Sequence, residues 1–499
     1  MGKITRGVEE MGWYLGYTVV YFSIMFAIGF YYFTKVKTSD EYLVAGWNMG
    51  FWSIVGTIIS TFCGAAVFIG WVGMGFTVGI SGFFKFALPA ILVSILLILL
   101  FSKPLRRQRL FTLSDLFSER FGNRVGIIPS ILSAIIYAIP TTALQIVGMS
   151  TVFKIAFGME FKMGILLSFA LILGFTILGG LTATIVTDAI QSVIVIIGIV
   201  ILFVASIVKG GGLVQILSHV KPEYISPAGP DGLSEVLLFA LSVGPFYLVW
   251  ESTWQRIFAS KTEQVAQRAG VTGFMITGII TILPFSIGIA AREFAPLDMR
   301  PDLLFSYITV ELLPPAIGGI ILVGLLSALM TGADSFILQG SSSLTKSLYH
   351  RLINPKASEK NLMFVSRLSV VIVSVLALII AFNLTDIISM YQWALRLSAT
   401  VLVIPFLATM FWRRATSIGT LSSMMAALIA TLSWPYLDLS IDHSAFGFLA
   451  SLLTLVTVSL MTKHAKTEQV RAVYWEDLDS AKAEVQEVQD YNDKKSISV

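Results

Sequence analysis

The stretch LLSALMTGADSFILQGSSSLTK (residues 325–346) places oxygen-bearing side chains inside an otherwise apolar segment. On an α-helix, positions i, i+3, i+6 and i+7 lie along one stripe; here they are Ala328, Thr331, Asp334 and Ser335. A charge at the centre of a bilayer costs at least about 2.5 kcal/mol. The stripe therefore needs a partner, and its oxygen atoms suit a small hard cation such as Na+.

The composition indicates an all-α polytopic membrane protein. Hydrophobic residues make up 56% of the chain and charged residues only 13%, about half the charged fraction of soluble proteins. The first apolar segment, residues 11–33, is too long for a secretory signal and lacks a small-residue cleavage site, so we expect a retained span. The single cysteine, Cys63, excludes an internal disulfide.

Apolar stretches of roughly 20 residues, the length of a membrane span, recur along the chain and predict about 13 transmembrane helices. The predicted spans are 11–34, 51–78, 82–102, 124–155, 161–180, 183–208, 233–256, 268–292, 313–345, 361–382, 385–411, 414–437 and 443–462.

Basic residues cluster in alternate loops, which the positive-inside rule assigns to the cytoplasm. The clusters are Lys103/Arg106/Arg107/Arg109, Arg256/Lys261/Arg268, Lys346/Arg351/Lys356/Lys360, Arg413/Arg414 and Lys463/Lys466/Arg471. This pattern predicts a multi-pass protein of the cell membrane with an outer N-terminus and a cytoplasmic C-terminus. The connections near 209–232 and 293–312 are then external, and residues 463–499 form a cytoplasmic tail.

Several function classes find no support in the chain. It has no nucleotide-binding loop and no zinc pattern, and its four histidines lack ligand spacing. No segment has the composition of a soluble domain. We therefore expect neither catalysis nor a nucleic-acid partner; the partners are the lipid bilayer and a small solute.

Two segments carry signs of interrupted helices. The second span contains STFCGAAVFIGWVGMG and the seventh contains SVGPFYLVWESTWQR. Transporters place substrate between such helices, in matching positions of two inverted repeats. Unwinding at Cys63, Gly64 and Ala65 would free backbone groups to bind a ligand; the alternative is close helix packing by small residues.

The five-span separation of these segments predicts a 5+5 inverted repeat. The first repeat covers 51–208 and the second covers 209–411, including external loops. Residues 1–50 then hold the outer N-terminus, the first peripheral helix and a cytoplasmic loop, and residues 412–462 hold two further peripheral helices.

Three stretches resemble the signatures of the sodium:solute symporter family, which includes proline, choline, monocarboxylate and pantothenate carriers. They are LGGLTATIVTDAIQ, WQRIFASK and SALMTGADSFILQGSSSLTKSLY. The resemblance covers nearly the whole chain and implies the leucine-transporter fold, alternating access and cation-coupled uptake.

The same resemblance implies sodium ligands. The main site would use the Ala328 carbonyl and the Thr331 hydroxyl with carbonyls of the broken second span, at Ser60 and Cys63. A second site, closer to the cytoplasm, would use Asp188, Asp334 and Ser335. For Asp334 the alternative is a helix–helix hydrogen bond or an arginine pair, and Asp188 lies near a predicted helix end.

One position departs from the family pattern. Many members follow the first hydroxyl with a second, whereas this chain has Gly332. Losing one oxygen should weaken sodium binding unless water or a neighbouring carbonyl replaces it. Greater reliance on Asp188 and Asp334, proton coupling or loose coupling are the alternatives, with Na+ favoured as the coupling ion.

Intramembrane charges and rings give conflicting indications of the solute. Lys85 and Arg396 favour an organic anion. Glu251 favours an amine held by ring faces, and the rings are Phe62, Trp250, Trp254 and Trp393. Alternatives remain open: Glu251 and Arg396 could form a gate, Lys85 could reach the outer interface, and the tryptophans could serve packing. Backbone at Gly64 and Ala65 would complete the solute site.

The sequence thus predicts a secondary symporter that couples Na+ influx to uptake of a small organic solute, either an amine, an amino acid or a carboxylate. A polyhydroxylated solute is disfavoured because Ala66 and Val67 stand where sugar carriers have glutamine. The alternatives are a proton-coupled or weakly coupled carrier and a transporter-like sensor.

Overall fold

A computed structural model describes residues 2–64, 66–311, 313–383, 387–437 and 443–463. The described residues form helices joined by turns and loops, with one isolated bridge between Met49 and Ser260. The helices of the first half are α1 (Gly2–Lys35), α2 (Ser39–Val44), α3 (Phe51–Phe62), α4 (Val72–Val78), α5 (Leu88–Arg107), α6 (Leu113–Phe121), α7 (Ile127–Ile131), α8 (Ala138–Phe157), α9 (Phe161–Lys209), α10 (Leu213–His219) and α11 (Pro222–Ile225).

The second half contains α12 (Leu233–Val243), α13 (Glu251–Ala259), α14 (Glu263–Ile280), α15 (Ile282–Ala291), α16 (Leu304–Glu311), α17 (Pro315–Ser342), α18 (Glu359–Asn383), α19 (Ile387–Phe411), α20 (Ser417–Ser433) and α21 (His443–Met461). Wider π-type turns precede or extend several of them, at Ala66–Trp71, Phe83–Ala87, Leu132–Tyr137 and Ser343–Ile353. Tighter 3₁₀ turns cover Ala45–Trp47, Gly244–Leu248, Pro301–Leu303 and Trp434–Tyr436.

Within the described residues, eleven helices are long and apolar enough to cross a membrane. The count becomes twelve when Phe51–Phe62 and Val67–Val78, which meet at a bend of 55°, are taken as one broken span. The all-helical, many-span architecture agrees with the sequence-based prediction. The predicted total of thirteen exceeds the count of twelve because two predicted spans form one continuous element, α9, without a loop between them.

Gly180 interrupts α9. This helix has 49 residues, which at 1.5 Å per residue is about 73 Å, more than twice a hydrocarbon core of about 30 Å. Gly180 has φ 56° and ψ −155°, outside the helical region. A Cβ atom there would lie 2.5 Å from the Tyr42 carbonyl oxygen, so only glycine fits this break.

α17 lies at the centre of the molecule and packs against α1, α3, α8, α9 and α18. Its residues from Gly324 to Ser342 are all buried. α3 packs closely against the second half of α9, because a Cβ at Gly56 would lie only 2.5 Å from the Ala189 Cα. This close approach brings the polar residues of α3 next to those of α9 and α17.

Loops that the sequence assigns to one side of the membrane contact one another. Met49 exchanges backbone hydrogen bonds of 2.9 Å with Ala259 and Lys261, and Arg107 binds Glu263 at 2.7 Å. At the other end of the segment that contains α5, Lys85 pairs with an aspartate of the connection before α12. The segments around Met49, Arg107 and Lys261 therefore share one face of the molecule, which we call the basic face.

Candidate functional site

The second membrane segment is interrupted where α3 ends. α3 ends at Phe62, and Cys63 has φ −82° and ψ 44°, outside the helical region. The Cys63 N–H still donates to the Ile59 carbonyl at 3.0 Å, but the later carbonyls of a helix end lack a partner one turn further on. The Ser60 carbonyl is among them, so the break leaves a backbone oxygen in the interior.

Thr331 of α17 contacts this oxygen. Its hydroxyl lies 3.0 Å from the Ser60 carbonyl oxygen, to which it donates, and 3.0 Å from the Ala328 carbonyl oxygen. Ser60, Ala328 and Thr331 are all fully buried. Two carbonyl oxygens and one hydroxyl oxygen, from two helices, thus meet at one point. Neutral oxygens of this kind replace the water shell of alkali ions in channels.

A third helix borders these oxygens through Gln145 of α8. A Cβ at Gly64 would lie 3.5 Å from the Gln145 amide oxygen and 3.8 Å from the Ala328 carbonyl oxygen. A Cβ at Gly332 would lie 3.1 Å from the same amide oxygen. The glycine at 332 therefore leaves room that the Gln145 side chain fills. We call Ser60, Gly64, Ala328, Thr331 and Gln145 the oxygen site.

A second polar cluster, here called the ionic cluster, lies one turn further along α17. The Arg256 guanidinium donates to the hydroxyls of Ser335 and, at 2.9 Å, Thr61. It also lies 3.7 Å from the Asp188 carboxylate, which accepts a hydrogen bond of 2.5 Å from Thr57. The cluster is thus an ion pair between α13 and α9, surrounded by hydroxyls of α3 and α17.

Arg256 corrects one prediction. The sequence analysis placed it in a cytoplasmic basic loop, but it belongs to α13 and is only 1% exposed. The reason is that α13 continues to Ala259 and that Asp188 provides a buried counter-charge. Asp188 was expected near a helix end. It lies about two turns beyond Gly180, inside the helix.

Asp334 lies apart from the ionic cluster. Its carboxylate accepts a hydrogen bond of 2.6 Å from Thr176, in the first half of α9. A helix turns about 100° per residue, so Asp334 and the adjacent Ser335 contact different neighbours. One oxygen of each acid, Asp188 Oδ1 and Asp334 Oδ2, accepts no hydrogen bond from any described residue.

A cluster of rings lies beside the break and joins both interrupted segments. Phe62 is at its centre, with ring centroids 5.9 Å away at Trp71, Tyr247, Trp250 and Phe274. Tyr247 and Trp250 come from the interruption between α12 and α13, where a 3₁₀ turn replaces α-helix. The buried Trp250 indole N–H has no hydrogen-bond partner among the described residues. The ring cluster thus offers ring faces and one donor.

Comparison with known proteins settles the family. A model of the sodium:solute symporter family matches residues 42–427. The chain belongs to this family. The symporter is 28% identical over 474 residues to an osmoregulated proline transporter of Bacillus subtilis (strain 168), covering 89% of this chain and 94% of the relative. It is 27% identical over 443 residues to a sodium/pantothenate symporter of Escherichia coli (strain K12), covering 84% and 91%.

Solved structures share the fold. A Na+-coupled sialic acid symporter in a substrate-bound outward-open state has a TM-score of 0.82 at 19% identity, covering 91% of this chain and 99% of that chain. Mhp1, a nucleobase-cation-symport-1 family transporter in a closed conformation, has a TM-score of 0.61 at 13% identity, covering 86% and 97%. The leucine-transporter fold expected from the sequence is thus confirmed. Family membership likewise confirms a symporter with Na+ as its coupling ion.

The two basic residues that were predicted to bind the solute have partners elsewhere in the symporter. Lys85 binds Asp231 at 2.7 Å, and the Asp231 side chain is 47% exposed. Arg396 contacts the His443 ring nitrogen at 2.8 Å. The Lys85 pair lies at the end of its membrane segment opposite the basic face, and the Arg396 contact joins α19 to α21.

Glu251 lies toward the basic face. It is 4% exposed, and its carboxylate accepts the Leu113 N–H at 2.9 Å, at the start of α6. Glu251 and Arg396 therefore bind different partners and do not form the gate considered from the sequence. A small recess adjoins Glu251. Its other lining residues include Ser133, Tyr137, Phe246 and Gln339.

Trp254 and Trp393 lie outside the ring cluster. Trp254 is fully buried, donates to the Leu248 carbonyl at 3.0 Å and stacks on Phe258. Trp393 is 37% exposed, with its ring centroid 5.5 Å from that of His443. Ala65 and the tail beyond residue 463 are outside the described residues.

Sequence reasoning missed four contributors to these sites. Thr57 and Thr61 lie at i and i+4 on the second span, a spacing that puts both hydroxyls on one helix face. Arg256 was visible within WQRIFASK, but its position near a predicted loop hid its burial. Gln145 is a single polar residue in an apolar span and carried no recognisable pattern.

Proposed function

We propose that the symporter binds its coupling Na+ between the carbonyls of Ser60 and Ala328 and the hydroxyl of Thr331, with the Cys63 carbonyl as a further ligand. The observation that carries this is the pair of 3.0 Å contacts that Thr331 Oγ1 makes across α3 and α17. A hydroxyl can rotate from donating to a carbonyl to presenting its lone pairs to a cation. Because the ligands come from two helices, movement of either helix changes the Na+ affinity.

A second cation site near the ionic cluster is also part of the proposal. Asp188 and Ser335 both contact Arg256, and Asp188 retains one oxygen that accepts no hydrogen bond among the described residues. Na+ binding there requires the guanidinium to turn away, because it already neutralises the carboxylate. Asp334 contributes through its own unpaired oxygen or stays a helix–helix contact with Thr176.

The solute proposed is a small organic carboxylate, amino acids included. The proline and pantothenate carried by the relatives named above both bear a carboxylate. The positive end of the dipole of the helix Val67–Val78 favours an anion. The Trp250 N–H supplies a donor, and the rings around Phe62 cover the apolar part of the solute.

The finer architecture is proposed as thirteen spans with a 5+5 inverted repeat. Division of α9 at Gly180 adds one span, and the bent pair in the second segment adds another, to the eleven that qualify by length and composition. The basic face is proposed as cytoplasmic, which leaves the N-terminus outside and the C-terminus inside the cell membrane.

Alternating access then couples the ion to the solute. One Na+ crossing about 100 mV gains about 2.3 kcal/mol, and a tenfold Na+ gradient adds about 1.4 kcal/mol. Together these sustain a solute ratio of several hundredfold for one-to-one symport.

Thr331→Ala tests the ion site, with Thr331→Ser as the matched control. Thr331→Ala removes one ligand oxygen and should raise the half-saturating Na+ concentration for uptake about tenfold or more, whereas Thr331→Ser keeps the oxygen and should stay within about threefold. Uptake into proteoliposomes, measured against Na+ at constant ionic strength with K+, gives both values. An unchanged Na+ dependence in Thr331→Ala removes this residue from the site.

A ligand screen tests the solute class. Purified full-length protein is heated with amino acids, carboxylates or amines, in Na+ or in K+ buffer. A ligand of the folded state raises the melting temperature by mass action, so a carboxylate should do so only with Na+. Stabilisation by an amine that lacks a carboxylate would contradict the proposed solute class.

A further inference from the structure

Gln145 belongs to the oxygen site but has no role in the function proposed above. It lies on α8 and is 3% exposed. Its amide oxygen is 3.5 Å from the position that a Cβ of Gly64 would take, and the Ala328 carbonyl oxygen is 3.8 Å from the same position. The two oxygens thus border one small volume beside the break in the second segment.

Gly332 and Gln145 are complementary in shape. A Cβ at 332 would lie 3.0 Å from the Gln145 Cδ and 3.1 Å from its amide oxygen, both closer than ordinary van der Waals contact. A side chain at 332 would therefore project into the volume that the amide occupies. The residue after Thr331 has no side chain, and a neighbouring helix supplies an oxygen in its place.

We propose that the Gln145 side-chain carbonyl is a ligand of the coupling Na+. This rests on the proposed function, since it adds one oxygen to the same site. An uncharged amide oxygen is a suitable ligand for a hard cation, and a side chain reaches the ion without any break in α8. The site would then draw its ligands from α3, α8 and α17, so that Na+ links three helices.

Na+ binding without solute gives the cleanest test. Purified full-length protein is heated in NaCl–KCl mixtures of constant ionic strength, and the rise in melting temperature yields the half-saturating Na+ concentration. Gln145→Leu keeps much of the side-chain volume but removes the oxygen. It should raise that concentration about tenfold, which corresponds to about 1.4 kcal/mol. Thr331→Ala, measured in parallel, reports on the proposed ion site itself.

A reciprocal exchange separates ligation from packing. Gln145→Ala removes the amide and opens the volume beside position 332, and Gly332→Ser then returns an oxygen to it. The double variant should bind Na+ within about threefold of the wild type, whereas Gln145→Ala alone should bind about tenfold more weakly. Gly332→Ser alone meets the Gln145 side chain and should lower the melting temperature in K+ buffer.

Four results would overturn the inference. Unchanged Na+ affinity in Gln145→Leu, together with weakened affinity in Thr331→Ala, would exclude Gln145 and leave the proposed ion site intact. Unchanged affinity in both variants would remove the ion site as well. Weakened solute binding in Gln145→Leu with unchanged Na+ affinity would assign the amide to the solute. Failure of the double variant to recover would show that Gln145 acts through packing.

Discussion

The oxygen site and the ionic cluster lie one turn apart on α17 and differ in the charge of the groups that form them. The oxygen site gathers carbonyl, hydroxyl and amide oxygens, which carry only partial charges. The ionic cluster contains a full positive and a full negative charge, Arg256 and Asp188, with hydroxyls around them. Both are fully enclosed by helices.

This difference assigns the two regions different tasks. A site of neutral oxygens gains and releases a monovalent cation without leaving a bare charge behind, which suits a carrier that must let its ion go. A buried ion pair is costly to disturb, because removal of one partner leaves the other uncompensated. The oxygen site is therefore suited to binding and release of an ion, and the ionic cluster is suited to holding α9 against α13.

The largest effect is expected when the ionic cluster loses one charge. Arg256→Gln or Asp188→Asn alone should lower the free energy of unfolding by about 3–5 kcal/mol, because a buried charge remains unpaired. The double variant should lose less than the sum of the two. Thermal unfolding of the purified variants measures the coupling. Additive losses would show that the two residues do not form a functional pair.

The effect of added Na+ on thermal stability tests whether the ionic cluster contains a cation site. In Arg256→Gln the Asp188 carboxylate lacks its cation, so Na+ should raise the melting temperature of this variant more than that of the wild type. Asp188→Asn serves as the control, since it removes the acid. An equal Na+ response in Arg256→Gln and the wild type would argue against a cation site in the cluster.

Substitutions of Glu251 test whether removal of a buried acid outside the ionic cluster costs as much stability as removal of Asp188. Glu251 accepts a backbone N–H of α6 and pairs with no cation among the contacts described above. Glu251→Ala should therefore cost about 1–3 kcal/mol, the range for an unsatisfied buried donor, and Glu251→Gln, which keeps an acceptor, should cost less. The Na+ affinity should not change in either variant. A large shift in Na+ affinity would connect Glu251 to the ion pathway.

Much of this arrangement was predictable from residue type and spacing. Span lengths, the basic loops and the interruptions at Cys63–Gly64 and near Trp250 follow from local composition. The meeting of Thr331 with Ser60 was expected through the family resemblance. In each case the signal lies within one segment, or in a motif that is matched as a whole.

The remainder depends on which helix faces pack together, and a single chain does not reveal this. The polar stripe on α17 illustrates the limit. Its residues were expected to act together, yet Asp334 contacts Thr176 and Ser335 contacts Arg256. Likewise, the charges at 85 and 396 suggested a solute site, but each has a partner from a distant part of the chain. In each case the contacts depend on which residues of neighbouring helices face each other.

Asp334→Asn probes the boundary between the two regions. The carboxylate accepts from Thr176 at 2.6 Å, and an asparagine amide oxygen can accept the same bond. The loss of stability should be about 1 kcal/mol, the usual size of one hydrogen bond, and well below that of Asp188→Asn. Melting curves in Na+ and K+ check this. A loss as large as that of Asp188→Asn would place Asp334 within the ionic cluster.

The smallest effect is expected at the end of the α5 membrane segment that lies opposite the basic face. Lys85→Gln breaks the pair with Asp231, whose side chain is 47% exposed; because water can hydrate the acid that is left, the loss of stability should be only about 1 kcal/mol. Solute affinity and Na+ affinity should both stay within about twofold of the wild type, because the lysine is already engaged outside the two regions compared here. Uptake kinetics of Lys85→Gln and of Asp231→Asn, its matched partner, measure both quantities. A selective rise in the half-saturating solute concentration for Lys85→Gln alone would return Lys85 to the solute path and show that the pair opens during transport.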